Sequence, residues 1–202
     1  MEAGRGTGAR WKGTGMDARR VRRALRAAGV GQSALCGLRW PFGRKKRMLS
    51  LVRKRLAVLE AKNEVVDFLF RTQRSLAGLG LVGLEQVRAA LGEAEKRRLI
   101  LTAGASRTML EEELSARHGS EAGRALDQAL AELAAEGVVL RVPGAMMLAN
   151  HDVYLAVLER GRPQYDVSEL SRLVWEGRQY AQELRRRVRR EKATGRERTY
   201  RL

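Results

Sequence analysis

The sequence predicts a mainly α-helical fold that contains one small β-hairpin. Apolar residues recur at intervals of three and four over most of residues 48–192, which is the period of an amphipathic helix. Aromatic residues make up only 5% of the chain, so the core is built from Leu, Val and Ala, and this favours helices over sheets. One stretch alternates apolar and polar residues before a Pro-Gly pair, which predicts the hairpin.

The first predicted helix runs from Met48 to about Leu76. Its apolar positions follow the helical period: Leu49, Val52, Leu56, Leu59, Val66 and Phe70. Asn63 lies in the seam between them, and a narrow stripe with one polar residue is typical of a coiled-coil strand that fixes its own register. An ordinary helix that faces a core fits the pattern at least as well, so both interpretations stay open.

A turn and a second helix follow. Three glycines interrupt the helical period at Gly78, Gly80 and Gly83, which predicts the turn. The next helix is predicted from about Leu84 to Leu99, with Leu84, Val87, Leu91 and Ala94 on one face.

Two shorter helices come next. Thr108 and Glu111 have capping-box spacing, which predicts a helix over 107–117 that ends at Gly119. Ser120 caps another helix, which stops at Gly137. The apolar stripe of this helix consists of Ala122, Leu126, Leu130 and Leu133.

A hairpin is predicted after these helices. Val138, Leu140 and Val142 alternate as a strand, Pro143-Gly144 makes a turn, and 145–148 returns as the partner strand. A helix, two further helices and a hairpin in this order are the elements of a winged helix.

The predicted organisation has four parts. Residues 1–47 form a basic, disordered targeting arm, 48–100 a helical and coiled-coil-like region, 101–165 a winged-helix-like domain, and 166–202 a basic C-terminal helix and tail. The helix of the last part covers 166–192, carries Leu170, Leu173, Tyr180 and Leu184, and leads into the Arg-rich tail.

The net charge of +17 is concentrated at the two ends of the chain. Residues 1–59 hold 16 basic and 2 acidic residues, and 178–202 hold 10 basic and 3 acidic residues. The region between them, 60–177, has 14 basic and 18 acidic residues. The overall charge is therefore not by itself an indication of nucleic-acid binding.

The first 47 residues are rich in Arg, Gly and Ala and nearly free of acidic residues, with an amphipathic patch at Ala18–Ala28. This composition is typical of a presequence for mitochondria or plastids, and a disordered basic arm is the alternative. The single cysteine, Cys36, excludes an internal disulfide and indicates a reducing compartment.

The sequence offers no pattern of catalytic or metal-binding residues. His118, His151 and Cys36 lack neighbours at the spacing of a metal site or a nucleophile–base pair. The acidic run Glu111–Glu113 lacks the alternating ligands of a calcium loop and indicates a solvated helix face. We expect no enzymatic activity, no catalytic residue, no cofactor, no metal site and no small-molecule substrate.

The helix that would read DNA in a winged helix is acidic here. It carries Glu121, Asp127, Glu132 and Glu136 against Arg124, and this charge disfavours phosphate contact. The basic cluster of the last helix is the candidate for contact with RNA or with anionic lipid: Arg185, Arg186, Arg187, Arg189 and Arg190. The same cluster also suits the C-terminal end of a helix, where it complements the helix dipole.

Three pieces of the sequence follow one another over residues 122–191, about a third of the chain. The first, 125–140, reads ALDQALAELAAEGVVL, and the second, 142–163, reads VPGAMMLANHDVYLAVLERGRP. The third, 169–191, reads ELSRLVWEGRQYAQELRRRVRRE. In this order and spacing they resemble the matrix-side portion of plant and algal mitochondrial calcium uniporter proteins. The first is similar to a helix that leads through a glycine into a strand, the second to the hairpin and the following helix, and the third to the juxtamembrane helix.

The family's pore has no counterpart in this sequence. In the family, the juxtamembrane helix is followed by two membrane helices around a Trp-Asp-x-x-Glu-Pro type of motif. Trp175-Glu176 lies within a predicted helix and lacks the remaining motif, so no calcium-coordinating residue carries over. A filter of this kind needs a ring of carboxylates.

The resemblance implies a non-enzymatic protein on the matrix side of the mitochondrial inner membrane. It would be either a component or a truncated subunit of a calcium uptake channel complex, without a pore of its own. Its expected partners are uniporter subunits or a second copy of itself, next to an anionic membrane surface. Two alternatives remain: an organellar RNA- or ribosome-associated basic protein, possible also in plastids, and a helical adaptor that dimerises through residues 48–76.

Overall fold

The structure is a computed structural model that describes residues 17–36, 44–118, 122–147 and 149–193. The described residues divide into two compact units. The first consists of the residues up to Leu56 together with those from Val167 onward, and the second of Ala57–Asp166. The predicted class, mainly helical with a small β-element, is confirmed.

The first unit is helical. It contains α1 (Ala18–Ala27), α2 (Gln32–Cys36), the beginning of α3 (Arg44–Thr72) and α10 (Ser168–Ala193). The prediction of a disordered arm over 1–47 is wrong for residues 18–27, 32–36 and 44–47, since they belong to α1, α2 and α3. The Asp17 side chain caps α1 by accepting a hydrogen bond from the Arg19 amide at 3.1 Å, and Val21 and Leu25 are fully buried. Residues 1–16 and 37–43 of the predicted arm lie outside the described residues.

The second unit begins with the remainder of α3, followed by α4 (Arg74–Gly78), α5 (Leu84–Ala90) and α6 (Ala94–Ala103). The predicted turn after α4 is present, with Gly80 in the left-handed region at φ 72°. The prediction of one helix over 84–99 is wrong. The chain turns at Gly92, whose amide bonds to the Ala89 carbonyl at 3.2 Å, and Glu93 is extended.

The next two helices are α7 (Arg107–His118) and α8 (Ala122–Ala135). The predicted cap of α7 is wrong, because the Ser106 hydroxyl accepts from the Met109 amide at 3.2 Å and takes the place assigned to Thr108. The predicted end of α8 is confirmed. Gly137 has φ 69°, and the Val138 amide donates to the Leu133 carbonyl at 2.9 Å, as in a Schellman motif. Gly119 and Ser120 lie outside the described residues.

A three-stranded antiparallel sheet completes the second unit. Its strands are β1 (Ala105–Ser106), β2 (Val139–Val142) and β3 (Val153–Ala156), in the order β1-β3-β2. Val139 pairs with Ala156 and Val142 with Val153, so the hairpin between β2 and β3 is in register over four residues. The elements expected of a winged helix are therefore present in the predicted chain order.

The prediction that 145–148 forms the return strand is wrong. Residues Gly144–Met147 form the short helix α9, and the return strand begins at Val153. Asp152 holds the base of this loop: its carboxylate accepts from the Gly144 amide at 3.1 Å and from Arg141 Nε at 2.6 Å. The Gly144 backbone also passes too close to the Ala149 and His151 carbonyls to leave room for a Cβ. The loop is wider than a two-residue turn because this clamp closes it ten residues after β2.

The main core of the second unit lies between α3, α7, α8 and the sheet. Its fully buried leucines are contributed by three helices: Leu69, Leu110, Leu114, Leu126 and Leu133. The α3 positions Val58, Val65 and Val66 are buried in the same core. The side chain of Asn63 accepts from the Tyr165 amide and donates to the Tyr165 carbonyl, both at 2.8 Å. The part of the predicted seam that lies within this unit is therefore packed inside the chain's own core.

Gln73 extends the sheet at the edge next to β1. Its side chain is fully buried, donates to the Tyr154 carbonyl at 3.0 Å and accepts from the Ala156 amide at 2.7 Å. The amide group therefore bonds to β3 as a neighbouring strand would, beyond the point where the two-residue β1 ends.

We expect Gln73→Leu to destabilise the second unit by about 1–3 kcal/mol, because it leaves a buried amide and a buried carbonyl without partners. Urea unfolding measures the loss, and hydrogen exchange should accelerate at the Ala156 amide. The matched control is Gln86→Leu at an exposed position of α5. Unchanged exchange at Ala156 would contradict this role of Gln73.

Candidate functional site

One side of α10 is buried and carries apolar residues. Leu170, Leu173 and Val174 are between 0 and 6% exposed, and α10 contacts α1 within the first unit. Residues three and four apart share one face of a helix, so burial of this stripe determines which residues of α10 point to solvent.

Arg20 of α1 binds two carboxylates of α10. Its Nε lies 2.7 Å from Glu169 Oε1, and its Nη1 lies 3.0 and 3.1 Å from the two oxygens of Glu176. Arg172 Nε donates to Glu176 as well, at 3.2 Å. The Glu176 side chain is only 12% exposed. The bonds to Glu169 and Glu176 raise the pKa of Arg20 above its ordinary value, so the guanidinium group keeps its charge at alkaline pH.

We expect Arg20→Gln to loosen α1 from α10 at a cost of about 1–2 kcal/mol, because it leaves Glu176 largely buried with one fewer cation. Hydrogen exchange should become faster over α1 and over the first turns of α10. The control is Arg23→Gln, which removes the same charge from an exposed position of α1. Equal effects of the two substitutions would show that the bridge does not hold these helices together.

The arginines predicted as a contact site lie on the solvent side of α10. Arg185, Arg186, Arg189 and Arg190 are all exposed. The Arg187 side chain lies outside the described side chains. The structure thus brings four of the five predicted residues onto one exposed surface.

The same surface includes two residues that the sequence analysis did not assign to the site. Trp175 is 61% exposed, and Arg178 is exposed one turn further along α10. The signal was present in the sequence, because steps of three and four residues lead back from Arg185 through Gln182 and Arg178 to Trp175. Finding it required knowing which face of α10 is buried.

A second polar cluster lies inside the second unit, around Lys62 of α3. The Lys62 side chain is 1% exposed, and its ammonium group binds Glu136 and lies 3.4 Å from Glu132. It also lies 3.9 Å from the centre of the Tyr165 ring, and the Tyr165 hydroxyl donates to Glu136. Each charge in the cluster has an opposite charge or a hydrogen bond, which is the condition for burying a lysine. The cluster joins α3, α8 and the segment before α10.

Tyr165 makes the stabilisation from this cluster depend on pH in the alkaline range. Burial and the hydrogen bond to Glu136 raise the pKa of the Tyr165 phenol, so the folded state keeps its proton where the unfolded chain, with a phenol pKa of about 10, begins to lose it. The stabilisation from this group is complete below about pH 10 and is lost as the pH rises towards the folded pKa.

We expect the free energy of unfolding to fall more steeply above about pH 10 in the wild type than in Tyr165→Phe, with a difference in slope of up to about 1.4 kcal/mol per pH unit. Urea titrations at a series of alkaline pH values measure both slopes. Tyr180→Phe, in the other unit, controls for the loss of a phenol. Parallel curves for the wild type and Tyr165→Phe would contradict the role of this group.

The acidic charge of α8 is paired within the second unit. Glu132 and Glu136 bind Lys62, and Asp127 accepts from Arg107 Nε at 2.8 Å. The hydrogen bond from Arg107 lowers the pKa of Asp127. These bonds balance the charge that the sequence analysis expected to repel phosphate, but the sequence of α8 still supplies only Arg124 as a cation.

The acidic run on α7 binds arginines. Glu111 accepts from Arg107 at 2.6 Å, and Glu113 accepts from Arg117 at 2.9 Å and from Arg71 at 3.2 Å. Within the described residues, no group of three or more His, Cys, Asp or Glu side chains is arranged to hold a metal ion. His151 is exposed in the loop before β3.

The chain was compared with protein families, with curated proteins and with solved structures. No family model, no curated protein and no solved structure matches the chain. Among the described helices, none has both the length and the apolar character needed to cross a membrane.

Proposed function

We propose that the chain is a non-enzymatic protein of the calcium uniporter type, which acts on the matrix side of the mitochondrial inner membrane as part of a calcium uptake complex. In this role it contributes protein contacts and a basic helix beside the membrane, and ion conduction belongs to the complete subunits of the complex. One observation carries the proposal: α10 exposes its arginines at the end that resembles the juxtamembrane portion of that family.

The order of elements before α10 supports the proposal. The resemblance implies a helix that leads into a strand, and then a hairpin and a following helix, ahead of the juxtamembrane helix. The helix α8, the strand β2 and the hairpin to β3 follow in that order, and a single 3₁₀ turn at Leu158–Arg160 stands where the following helix is expected. The charge distribution also supports a membrane-side role over DNA reading, because α10 exposes six arginines among its described side chains whereas α8 is acidic.

The adaptor alternative has less support. Dimerisation through 48–76 requires an apolar stripe that is open to a second copy, whereas Val52 and Val66 of that stripe are fully buried and Phe70 packs against the core of the second unit. The exposed arginines of α10 favour the RNA alternative as much as a membrane contact, and it therefore enters the experiments below.

We expect loss of the gene to change the rate of mitochondrial calcium uptake at equal membrane potential, and the full chain to restore it. A tagged full chain should fractionate with the inner membrane and co-purify with complete uniporter subunits. An unrelated matrix protein with the same tag controls for non-specific recovery.

Unchanged calcium uptake together with absence of uniporter subunits from the purified material would reject the proposal. Recovery of ribosomal proteins and RNA in place of uniporter subunits would instead support the RNA-associated alternative.

A further inference from the structure

The exposed face of α10 has a composition that its contacts in the first unit do not explain. Trp175, Arg178, Arg185, Arg186 and Arg189 lie within about 100° of one another around the helix axis, given 3.6 residues per turn. From Trp175 to Arg189 this face, the Trp-Arg stripe, is about 21 Å long at 1.5 Å per residue. It is a straight, single-sided row of cations with one large aromatic residue at its N-terminal end.

The charge of the Trp-Arg stripe is not neutralised within the described part of the chain. Arg178, Arg185, Arg186 and Arg189 form no ion pair with another described residue. Glu169 and Glu176 of α10 lie on another side, where they bind Arg20. Glu183 lies beside the stripe, about 60° around the helix from Arg186, and forms no ion pair with the four arginines. Like charges so close together repel one another, and an anionic partner would relieve this repulsion.

Trp175 is the second unusual feature of this face. It is the most exposed of the large hydrophobic side chains among the described residues, at 61%. An indole has an apolar body and one N–H donor, which suits the boundary between lipid headgroups and acyl chains. Its position in line with the arginines means that one flat surface can contact all five side chains at once.

We propose that the Trp-Arg stripe binds the anionic headgroups of a phospholipid bilayer, with α10 lying along the surface and the Trp175 indole inserted at the headgroup boundary. The inference deepens the proposed function by naming the partner of α10, and it rests on that function only for the choice of membrane. A planar anionic surface fits a straight row of cations on one side of a helix, whereas a nucleic acid strand that bends around a protein does not require this alignment.

The first test is co-sedimentation of the full chain with vesicles of phosphatidylcholine, alone or mixed with cardiolipin or with phosphatidylglycerol at equal charge. We expect binding only to the two anionic mixtures, and weaker binding as salt is raised. Each arginine near an anionic surface contributes about a fivefold change in partitioning. The variant with Arg178, Arg185, Arg186 and Arg189 changed to Gln should therefore bind several hundredfold more weakly, since four factors of about five multiply.

The control variant removes the same charge from exposed positions of the second unit: Arg74, Arg98, Arg124 and Arg160, each changed to Gln. It should bind nearly as well as the wild type, and circular dichroism should show that both variants keep their helical content. Equal losses of vesicle binding in the two variants would show that binding depends on the net charge of the protein alone, and would overturn the proposal.

The second test does not depend on the four-arginine variant folding. In a background with Trp11→Phe and Trp40→Phe, Trp175 is the only tryptophan. We expect its emission to shift to the blue on anionic vesicles and to be quenched by lipids brominated near the headgroup. No shift on vesicles that bind the protein would overturn the insertion of Trp175.

A short single-stranded RNA is the competing probe. If it binds more tightly than anionic vesicles at the same salt concentration and quenches Trp175, the stripe is a nucleic-acid site and the proposal is wrong. Vesicle binding without any effect of the gene on calcium uptake would uphold the headgroup contact and reject the proposed function. An effect of the gene on calcium uptake without vesicle binding would support the proposed function and reject the headgroup contact. Failure of one proposal can therefore be told from failure of the other.

Discussion

The bridge from Arg20 to Glu169 and Glu176 constrains the rest of the first unit. The two glutamates are seven residues apart, so they lie on nearly the same side of α10, and one guanidinium group binds both. Next to this side lies the buried stripe of Leu170 and Leu173. One side of α10 is bound to α1 and the adjacent side is buried. The arginines near the C-terminal end of α10 therefore lie on the side that faces solvent.

Polar residues on and just after α3 constrain the second unit, as the Arg20 bridge constrains the first. Lys62, Asn63 and Gln73 each enter or border the core, and each finds its partners far along the chain, in α8, at Tyr165 and in β3. A buried polar group without partners is costly, so these three contacts define one arrangement of helix and sheet over its alternatives. This explains why α3 packs against its own domain, which was one of the two interpretations that its apolar stripe left open.

The long periodic elements were predictable from sequence because their signal is local. The helical pattern over 48–76, the stripe and glycine stop of α8, and the final helix all appear within a few residues of their predicted bounds. The failures came from contacts that the local pattern does not rank, one with a residue beyond the turn and one with a neighbouring hydroxyl. Asp152 clamps the loop base that a Pro-Gly pair alone would have closed earlier, and Ser106 competes successfully with Thr108 as a cap. The five arginines were visible in the sequence, whereas adding Trp175 required the rotation of α10 about its axis.

The burial of Lys62 has a consequence for the chemistry of this side chain. An amine that is 1% exposed and bound by two glutamates cannot meet an acylating reagent or an acetyltransferase while the second unit stays closed. Exposed lysines react without any opening of the fold. Slower modification of Lys62 than of exposed lysines therefore reports how often α3 and α8 separate. The rate at which Lys62 is modified therefore measures the rate at which the core of the second unit opens.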